Sequence, residues 1–271
     1  MSELQKKLLD MLKWFDKICE ENNISYYAIG GTMLGAARHN GFIPWDDDLD
    51  VGLPREEYEK LSDIMTNNQE ERYILETVNS EDKEYCYTFS KIYDTETILI
   101  ENVKSKFVRG IYIDVFPIDG LGSAVEPDYS WYNKINRRKQ FFLARITGIR
   151  KGRSLIKNAA VIFARLIPEI LIDNRELRIN IDRMCQKYEY KKSTWVANLL
   201  GNWGKKEIVP ITYFGEPKKY RFEDIEISGV EKPDEYLTHV YGDWRKLPSI
   251  DKQVSHHDYV YINLRKSYKR K

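Results

Sequence analysis

The chain has 271 residues, 42% of them hydrophobic, which is enough for one large domain or for a core with a second lobe. Charged residues make up 31% of the chain and nearly cancel, to a formal net charge of +1. That balance argues against a nucleic-acid partner and against an acidic polymer as partner. The three cysteines, Cys19, Cys86 and Cys185, are widely separated, which argues against a zinc site or a disulfide framework and suits a reducing cytosol.

The first predicted element is an amphipathic helix that ends near Asn22 and Asn23. Ser2 and Gln5 give a capping-box pattern at its start. Acidic residues interrupt its apolar positions, so the segment is not a signal peptide. We expect the helix to pack on the core, and a dimer face is the alternative. The apolar residues at helical spacing are Leu4, Leu8, Met11, Leu12, Phe15, Ile18 and Cys19.

A strand over residues 24–29 is followed by a tight turn at Gly30, Gly31 and Thr32 and by a helix that starts at Met33. Glycine permits positive φ and close approach of the backbone. A helix N-terminus offers unpaired N–H groups to an anion. This turn, with the Thr32 hydroxyl, is therefore a candidate phosphate-binding site, although a purely structural turn would have the same sequence.

Four aspartates, Asp46, Asp47, Asp48 and Asp50, follow within a few residues. Side chains two residues apart share one face of a strand, so Asp48 and Asp50 are expected side by side. Two facing carboxylates repel each other unless they share a proton or bind a cation. Oxygen ligands without paired histidines or cysteines favour Mg²⁺ or Mn²⁺ over Zn²⁺.

Helix and strand patterns alternate in the next part of the chain. A helix is predicted to start at Pro54, and the alternation indicates an α+β fold with a mixed sheet. Asp114 shares a face with aromatic residues in the last of these strands, where a solvent-facing acid would be poorly placed, so it is the third candidate acid. Asp119, after Pro117, is interpreted as a turn residue. The predicted strands are 73–77, 85–93, 98–100 and 111–116.

The segments 30–39 and 41–52 together resemble the signature of the LicD family, which belongs to the nucleotidyltransferase-fold superfamily and is related to fukutin and fukutin-related protein. The resemblance implies a metal-dependent transferase that moves a phosphorylated alcohol, often phosphocholine, from a CDP-linked donor to a sugar hydroxyl. It also implies a nucleotidyltransferase-like core whose mixed β-sheet is flanked by helices. Outside this core we expect a helical insertion and a C-terminal segment. Looser similarity covers Lys91, 94–97, 112–119 and 241–243.

The resemblance assigns roles to individual residues. The glycine-glycine-threonine motif maps to Gly30, Gly31 and Thr32, which would bind the donor phosphates. Arg38 and Lys91 would add positive charge there, although a lone lysine on a strand is usually a solvent-facing residue. Asp46 would lie behind the metal ligands or bind a metal-bound water. The metal-binding and catalytic residues would be Asp48, Asp50 and Asp114, with Mg²⁺ or Mn²⁺ as cofactor.

The composition changes between residues 129 and 168, where ten lysines and arginines occur without any aspartate or glutamate. One interpretation is a pair of solvated helices whose charges meet acids elsewhere, and the other is a peripheral contact with an anionic membrane. Residues 155–172 are the most apolar stretch, but charged residues interrupt it, so it does not span a membrane. The basic residues are Lys134, Arg137, Arg138, Lys139, Arg145, Arg150, Lys151, Arg153, Lys157 and Arg165.

Towards the C-terminus, segments 208–214 and 219–227 are predicted to be extended, and a short helix follows near Pro233. His256 and His257 are adjacent, so on an extended segment they face opposite ways and form a poor metal pair. A surface role is expected for both, with a phosphate contact as the alternative. We divide the chain into a catalytic core (1–120), a basic and mainly helical region (121–206) and a C-terminal segment that packs back on the core (207–271).

The predicted function is transfer of phosphocholine from CDP-choline to a lipid-linked glycan or teichoic acid precursor, with release of CMP, in the cytoplasm or at the inner face of the membrane. A donor carrying ribitol or glycerol phosphate, and true nucleotidyl transfer, are alternatives with the same acids. A calcium-binding module is a remote alternative, because Asp46, Asp48, Asp50 and Glu57 match four ligand positions of a calcium loop but Val51 stands where that loop needs glycine. The last alternative is a non-catalytic adaptor that acts through the basic segment.

Overall fold

The computed structural model describes residues 1–67, 72–102, 107–147, 155–168, 170–255, 257 and 259–269. The strands in these ranges are β1 (Tyr27–Ala28), β2 (Asp50–Pro54), β3 (Tyr73–Glu76), β4 (Ser90–Asp94), β5 (Ile98–Glu101), β6 (Tyr112–Gly120), β7 (Trp195–Ala197), β8 (Ile208–Pro210), β9 (Lys218–Phe222), β10 (Ile225–Gly229) and β11 (Tyr259–Asn263). The α-helices are α1 (Glu3–Glu21), α2 (Gly30–His39), α3 (Arg55–Asn67), α4 (Tyr129–Ile146), α5 (Leu155–Leu166), α6 (Asn174–Cys185), α7 (Ile211–Phe214) and α8 (Pro233–Tyr241).

The main sheet is mixed, as predicted. Its strands follow the order β3-β4-β6-β2-β1-β10-β9, and β7 and β8 extend it from the far end of β6. The β2–β6 and β1–β10 pairs are parallel, and the other pairs are antiparallel. A separate two-stranded sheet pairs β5 with β11. Helices pack against this sheet, so the expected α+β class is confirmed.

The first helix forms as its sequence pattern predicts. The Ser2 hydroxyl accepts a hydrogen bond from the Gln5 N–H at 3.1 Å, and the Gln5 side chain accepts one from the Ser2 N–H at 2.8 Å, which completes the capping box. The apolar face of α1 is buried in the core, including Leu8, Met11 and Phe15. The alternative of a dimer face is therefore wrong for these residues.

Pro117 lies inside the central strand β6, where proline is unusual because it has no N–H to donate. The N–H of Asp114 points to β2, where it donates to the Leu49 carbonyl. Because the direction alternates along a strand, the nitrogen of Pro117 faces the opposite edge. On that edge, β4 pairs with β6 only as far as Val115, and β7 begins to pair at Asp119. The proline therefore lies in a gap between two neighbouring strands and costs no ladder hydrogen bond.

Asp119 is not a turn residue, which corrects the prediction. It lies in β6 with 1% of its surface exposed, and its carboxylate accepts two hydrogen bonds from Arg55, from Nε at 2.8 Å and from Nη2 at 2.7 Å. Arg55 also donates to Asp182 at 2.9 Å. This buried triad ties the start of α3 and the end of β6 to α6.

The basic region differs from the predicted pair of solvated helices. Lys134, Arg137 and Arg138 are exposed on α4, but Lys139 and Arg145 are buried and bind backbone carbonyls rather than acids. Lys139 donates to the carbonyls of residues 199 and 201, and Arg145 donates to those of 164, 167 and 172. The predicted residues Arg150, Lys151 and Arg153 lie outside the described ranges. Among the residues that are described, no helix is both long and apolar enough to cross a membrane.

Candidate active site

The candidate acids meet where two parallel strands begin. Asp50 is the first residue of β2 and lies opposite Asp114 in β6. Asp48 precedes β2 instead of lying in it, which corrects the expected i, i+2 strand pair. When Asp46 is protonated, its carboxyl donates a hydrogen bond to Asp48. The cluster thus combines one strand residue, its cross-strand neighbour and the loop that leads into β2.

The glycines of the predicted turn lie in the first turn of α2 itself, three residues earlier than the expected helix start. A β-carbon at Gly31 would lie 2.6 Å from Asp46 Oδ2, and one at Gly30, where φ is +54°, would lie 3.0 Å from Asp50 Oδ2. Only glycine allows both carboxylates to lie against the helix N-terminus. Thr32 Oγ1 accepts a hydrogen bond from the Asp50 N–H at 2.8 Å, so its hydroxyl also fixes the start of β2.

The N-terminus of α2 faces the acids. The first hydrogen bond of the helix runs from the Met33 N–H to the Ile29 carbonyl at 3.1 Å, and the Gly30 N–H donates to the Tyr236 hydroxyl at 3.3 Å. The N–H groups of Gly31 and Thr32 therefore lie in the first turn, before the helix can supply partners. Such groups favour an anion.

Arg38 lies at the other end of α2, where it contacts the C-terminal part of the chain. Its Nη1 donates to the Trp244 carbonyl at 2.7 Å, and its Nε donates to His39 at 3.0 Å. Partial burial lowers the pKa of Arg38 from its usual value. A contact between Arg38 and a donor phosphate stays a prediction.

Lys91 is not a solvent-facing residue. It lies opposite Asp114 in the β4–β6 register, and only 2% of it is exposed. Its Nζ lies 2.7 Å from Asp114 Oδ1 and 3.9 Å from Glu101 Oε2. The ammonium also lies over the rings of Tyr112, at 3.3 Å from the centroid, and of Tyr87, at 4.2 Å. Burial lowers the pKa of Lys91, but Asp114 and Glu101 outweigh burial and raise the pKa overall.

Glu101 is a site residue that the sequence did not reveal. Its carboxylate accepts hydrogen bonds from the hydroxyls of Tyr112, at 2.9 Å, and of Tyr87. Burial raises the pKa of Glu101, but Lys91 and the two hydroxyls outweigh it, so the carboxyl is held below its usual pKa. In the sequence it is one acid at the end of a short strand, which gives no functional signal.

His257 was expected at the surface, but it lies against the aspartates. Its Nδ1 is 2.8 Å from Asp47 Oδ1, its Nε2 is 3.3 Å from Asp48 Oδ2, and its ring stacks on Tyr259 with centroids 5.5 Å apart. Ser255 donates to the other oxygen of Asp47 at 2.7 Å. Burial lowers the pKa of His257, but the hydrogen bond to Asp47 and the charges of Asp48 and Asp47 raise it to about 9. His256 lies outside the described residues.

Asp47, Asp48 and His257 form a compact trio, in which one ligand atom from each residue lies within 4.8 Å of the others. Among the described residues, the predicted metal ligands Asp48, Asp50 and Asp114 do not form such a trio. The imidazole nevertheless uses each nitrogen on a different carboxylate. Ligands of one metal would converge on a point, so this arrangement is that of an imidazolium bridging two acids.

The carboxylates that remain are strongly perturbed. Burial, then the charge of Asp48, raises the pKa of Asp46 to about 8. Burial also raises the pKa of Asp48, Asp50 and Asp114. Repulsion from Asp114 adds to this at Asp48, and repulsion from Asp48 and Asp114 adds to it at Asp50. At Asp114 the added repulsion comes from Glu101, and Lys91 opposes it. A set of carboxylate oxygens that repel one another fits a hard divalent cation, Mg²⁺ or Mn²⁺. The calcium-loop alternative does not fit, because Asp50 begins a central β-strand and the loop has no entering helix.

Comparison with known proteins identifies the family of the chain. Residues 23–145 match the family described as LicD/FKTN/FKRP, nucleotidyltransferase domain. The chain is 30% identical over 260 residues to the lipopolysaccharide cholinephosphotransferase LicD of Haemophilus influenzae, covering 95% of this chain and 96% of that protein. It is 38% identical over 48 residues to the human ribitol 5-phosphate transferase FKRP, which is 18% of this chain and 10% of that protein. The chain belongs to the LicD family of phosphotransferases, as its motifs predicted.

Proposed function

We propose that the protein moves a phosphorylated alcohol, phosphocholine in the first instance, from a CDP-linked donor to a hydroxyl of a cell-surface glycan precursor and releases CMP. The observation that carries the proposal is the position of Asp50 opposite Asp114 on parallel strands, with Asp48 just before β2, next to the N-terminus of α2. Similarity to a cholinephosphotransferase over nearly the whole chain supports the choice of phosphocholine.

Each group at the site has a role in this reaction. Asp48, Asp50 and Asp114 would hold Mg²⁺ or Mn²⁺, which when bound neutralises charge on the donor diphosphate. The N–H groups of Gly31 and Thr32 bind a phosphate oxygen at the N-terminus of α2. Arg38 and Lys91 add positive charge. Asp114 completes the metal site or accepts the proton of the acceptor hydroxyl, and Asp46 stabilises Asp48 through its hydrogen bond.

Trp203 and Tyr241 are candidate faces for the choline ammonium. Their ring centroids are 4.9 Å apart, and Trp203 is 49% exposed. Burial raises the pKa of Tyr241, and the neighbouring groups Tyr236, Asp50 and Asp46 raise it further, which places the ring near the acids. A quaternary ammonium is attracted to such aromatic faces. Trp203→Ala should therefore raise KM for CDP-choline about five- to thirtyfold, the equivalent of about 1–2 kcal/mol, and leave KM for CDP-glycerol unchanged.

The decisive test is CMP release with Mg²⁺ from CDP-choline, CDP-ribitol and CDP-glycerol, in the presence of a lipid-linked glycan acceptor. Asp48→Ala should lower the rate by about 1,000-fold or more, because metal stabilisation is worth several kcal/mol and each 1.36 kcal/mol is tenfold. Asp224→Ala, which removes an exposed partner of Lys13, is the matched control. Release from none of the three donors contradicts the proposal.

The products distinguish the alternative reactions. Similarity to a ribitol 5-phosphate transferase favours ribitol phosphate as the second candidate. Transfer at the phosphorus next to the nucleoside would instead leave cytidine on the acceptor, with the same aspartates in use. Mass spectrometry of the acceptor reads both: a gain of phosphocholine supports the main proposal, and a gain of cytidine monophosphate replaces it with nucleotidyl transfer.

We also infer a peripheral contact with the cytoplasmic face of an anionic membrane, which would suit a lipid-linked acceptor. Phe163 and Leu166 are 69% and 73% exposed on α5, and Arg137 and Arg138 are exposed on α4. An apolar helix face beside basic residues is typical of interfacial binding. Phe163→Asp should abolish sedimentation with phosphatidylglycerol vesicles, and equal binding of the intact chain to phosphatidylcholine vesicles contradicts an anionic preference.

A further inference from the structure

Lys91 is held in one position by its surroundings. The antiparallel β4–β6 register fixes it opposite Asp114, and two tyrosine rings cover the ammonium. Both rings are themselves tied down, because the hydroxyls of Tyr87 and Tyr112 donate to Glu101. The side chain is therefore a fixed component of the acid cluster, with its charge beside Asp114 Oδ1.

The cations of this cluster divide its acids into groups. Lys91 is paired with Asp114 and Glu101, at 2.7 and 3.9 Å. On the other side, His257 bridges Asp47 and Asp48. The largest electrostatic influences on Asp50 come from four acids, Asp48, Asp114, Asp46 and Glu207. Asp50 thus carries the negative charge that one divalent cation, held beside Asp48, would balance.

We propose that Lys91 is a built-in cation that stands in for a second divalent ion, so that the site binds a single Mg²⁺ or Mn²⁺. Two-metal sites place their ions about 3.5–4 Å apart, and both ions share carboxylate oxygens. The ammonium already lies at hydrogen-bond distance from Asp114 Oδ1, so a second ion at that oxygen would meet a fixed positive charge. The inference rests on the proposed function, because the cation concerned is the one that the transferase would use.

The test counts Mn²⁺ ions on the full-length protein with saturating CDP-choline and no acceptor. Equilibrium dialysis gives the number per chain, and electron paramagnetic resonance distinguishes an isolated Mn²⁺ from a spin-coupled pair. Asp48→Ala with the same nucleotide corrects for Mn²⁺ that is bound by the nucleotide alone. The intact protein should bind one Mn²⁺ with an uncoupled spectrum.

Two variants separate the charge of Lys91 from its shape. Lys91→Met keeps an unbranched side chain that packs well on aromatic rings but leaves Asp114 and Glu101 without their cation, so it should bind a second Mn²⁺ and show a coupled spectrum. Lys91→Arg keeps the charge and should bind one. Circular dichroism shows whether each variant is folded.

The outcomes distinguish this inference from the function on which it rests. A coupled pair in the intact protein overturns the inference, whatever the variants do, and so does a folded Lys91→Met protein that binds only one Mn²⁺. An intact protein that binds no Mn²⁺ contradicts the metal-dependent transferase itself. If Lys91→Met does not fold, the count on the intact protein decides alone: one ion supports the inference and two overturn it.

Discussion

Replacing Asp119 with asparagine should destabilise the protein strongly without affecting the acid cluster. Asp119 forms a bidentate pair with Arg55 at 2.7 and 2.8 Å, and its side chain is 1% exposed while that of Arg55 is 10% exposed. Removing one partner of a buried ion pair typically costs about 3–5 kcal/mol, because the other charge is left buried. Asp182 remains to pair with Arg55, which places the expected cost at the lower end of that range.

The expected change in melting temperature follows from the length of the chain. An unfolding entropy of about 2.1 cal/mol/K per residue gives about 0.57 kcal/mol/K for 271 residues, so a loss of about 3–4 kcal/mol corresponds to roughly 5–7 °C. Differential scanning calorimetry measures it. Asp224→Asn removes the exposed partner of Lys13 by the same chemical change and should leave the melting temperature unaltered.

A fall of less than about 2 °C for Asp119→Asn would refute this reasoning, because it would mean that Asp182 alone satisfies Arg55. Asp119 lies five residues beyond Asp114, at the other end of β6. Mn²⁺ affinity should therefore be unchanged at 20 °C or below, well under the melting transition. A large loss of Mn²⁺ affinity in the folded variant would show that the triad also positions the acids.

Gly31→Ala should lower Mn²⁺ affinity about 10- to 100-fold, measured by titration calorimetry, because the new β-carbon displaces Asp46. Burial raises the pKa of Glu207 to about 7, so the native state keeps this proton at pH values where the unfolded chain has lost it. The free energy of unfolding of the wild type should therefore fall by about 3 kcal/mol between pH 4.5 and 7, relative to Glu207→Gln, in denaturant titrations. Equal pH dependence of the two proteins contradicts this. Arg145→Lys should expose segment 155–168 to limited proteolysis, since lysine cannot replace four hydrogen bonds, whereas the exposed Arg137→Lys should not.

Local patterns in the sequence account for the elements that were predicted correctly. The capping box at Ser2 and the spacing of apolar residues predicted α1, and Asp114 was found because it interrupts a strand with an otherwise buried pattern. The predicted strand 85–93 was too long, because Tyr85 donates to the carbonyls of Glu76 and Phe89 and β4 begins only at Ser90. The periodicity of the sequence cannot show that a tyrosine hydroxyl, instead of a neighbouring strand, binds these carbonyls.

Charged residues were the least predictable. Lys91 and Arg145 were interpreted from the rule that a charged side chain usually faces solvent, and Asp119 was interpreted as a turn residue because it follows Pro117. Each is buried with partners that lie far away in the sequence, which pay the cost of removing its charge from water. In the basic segment the same error makes the surface appear more positive than it is, because Lys139 and Arg145 are occupied by backbone carbonyls.

The two-stranded sheet of β5 and β11 explains why half of the site could not be predicted. Its register places Tyr259 opposite Glu101, two residues after His257. Glu101 therefore reaches the Lys91 side of the aspartates and His257 reaches the Asp47 side from one small sheet. The aspartates come from local motifs, but Glu101 and His257, which flank them, are brought to the site by a pairing between segments more than 150 residues apart. A substitution that shifts the β5–β11 register should for that reason alter the charge balance at both sides of the acid cluster while leaving its aspartates in position.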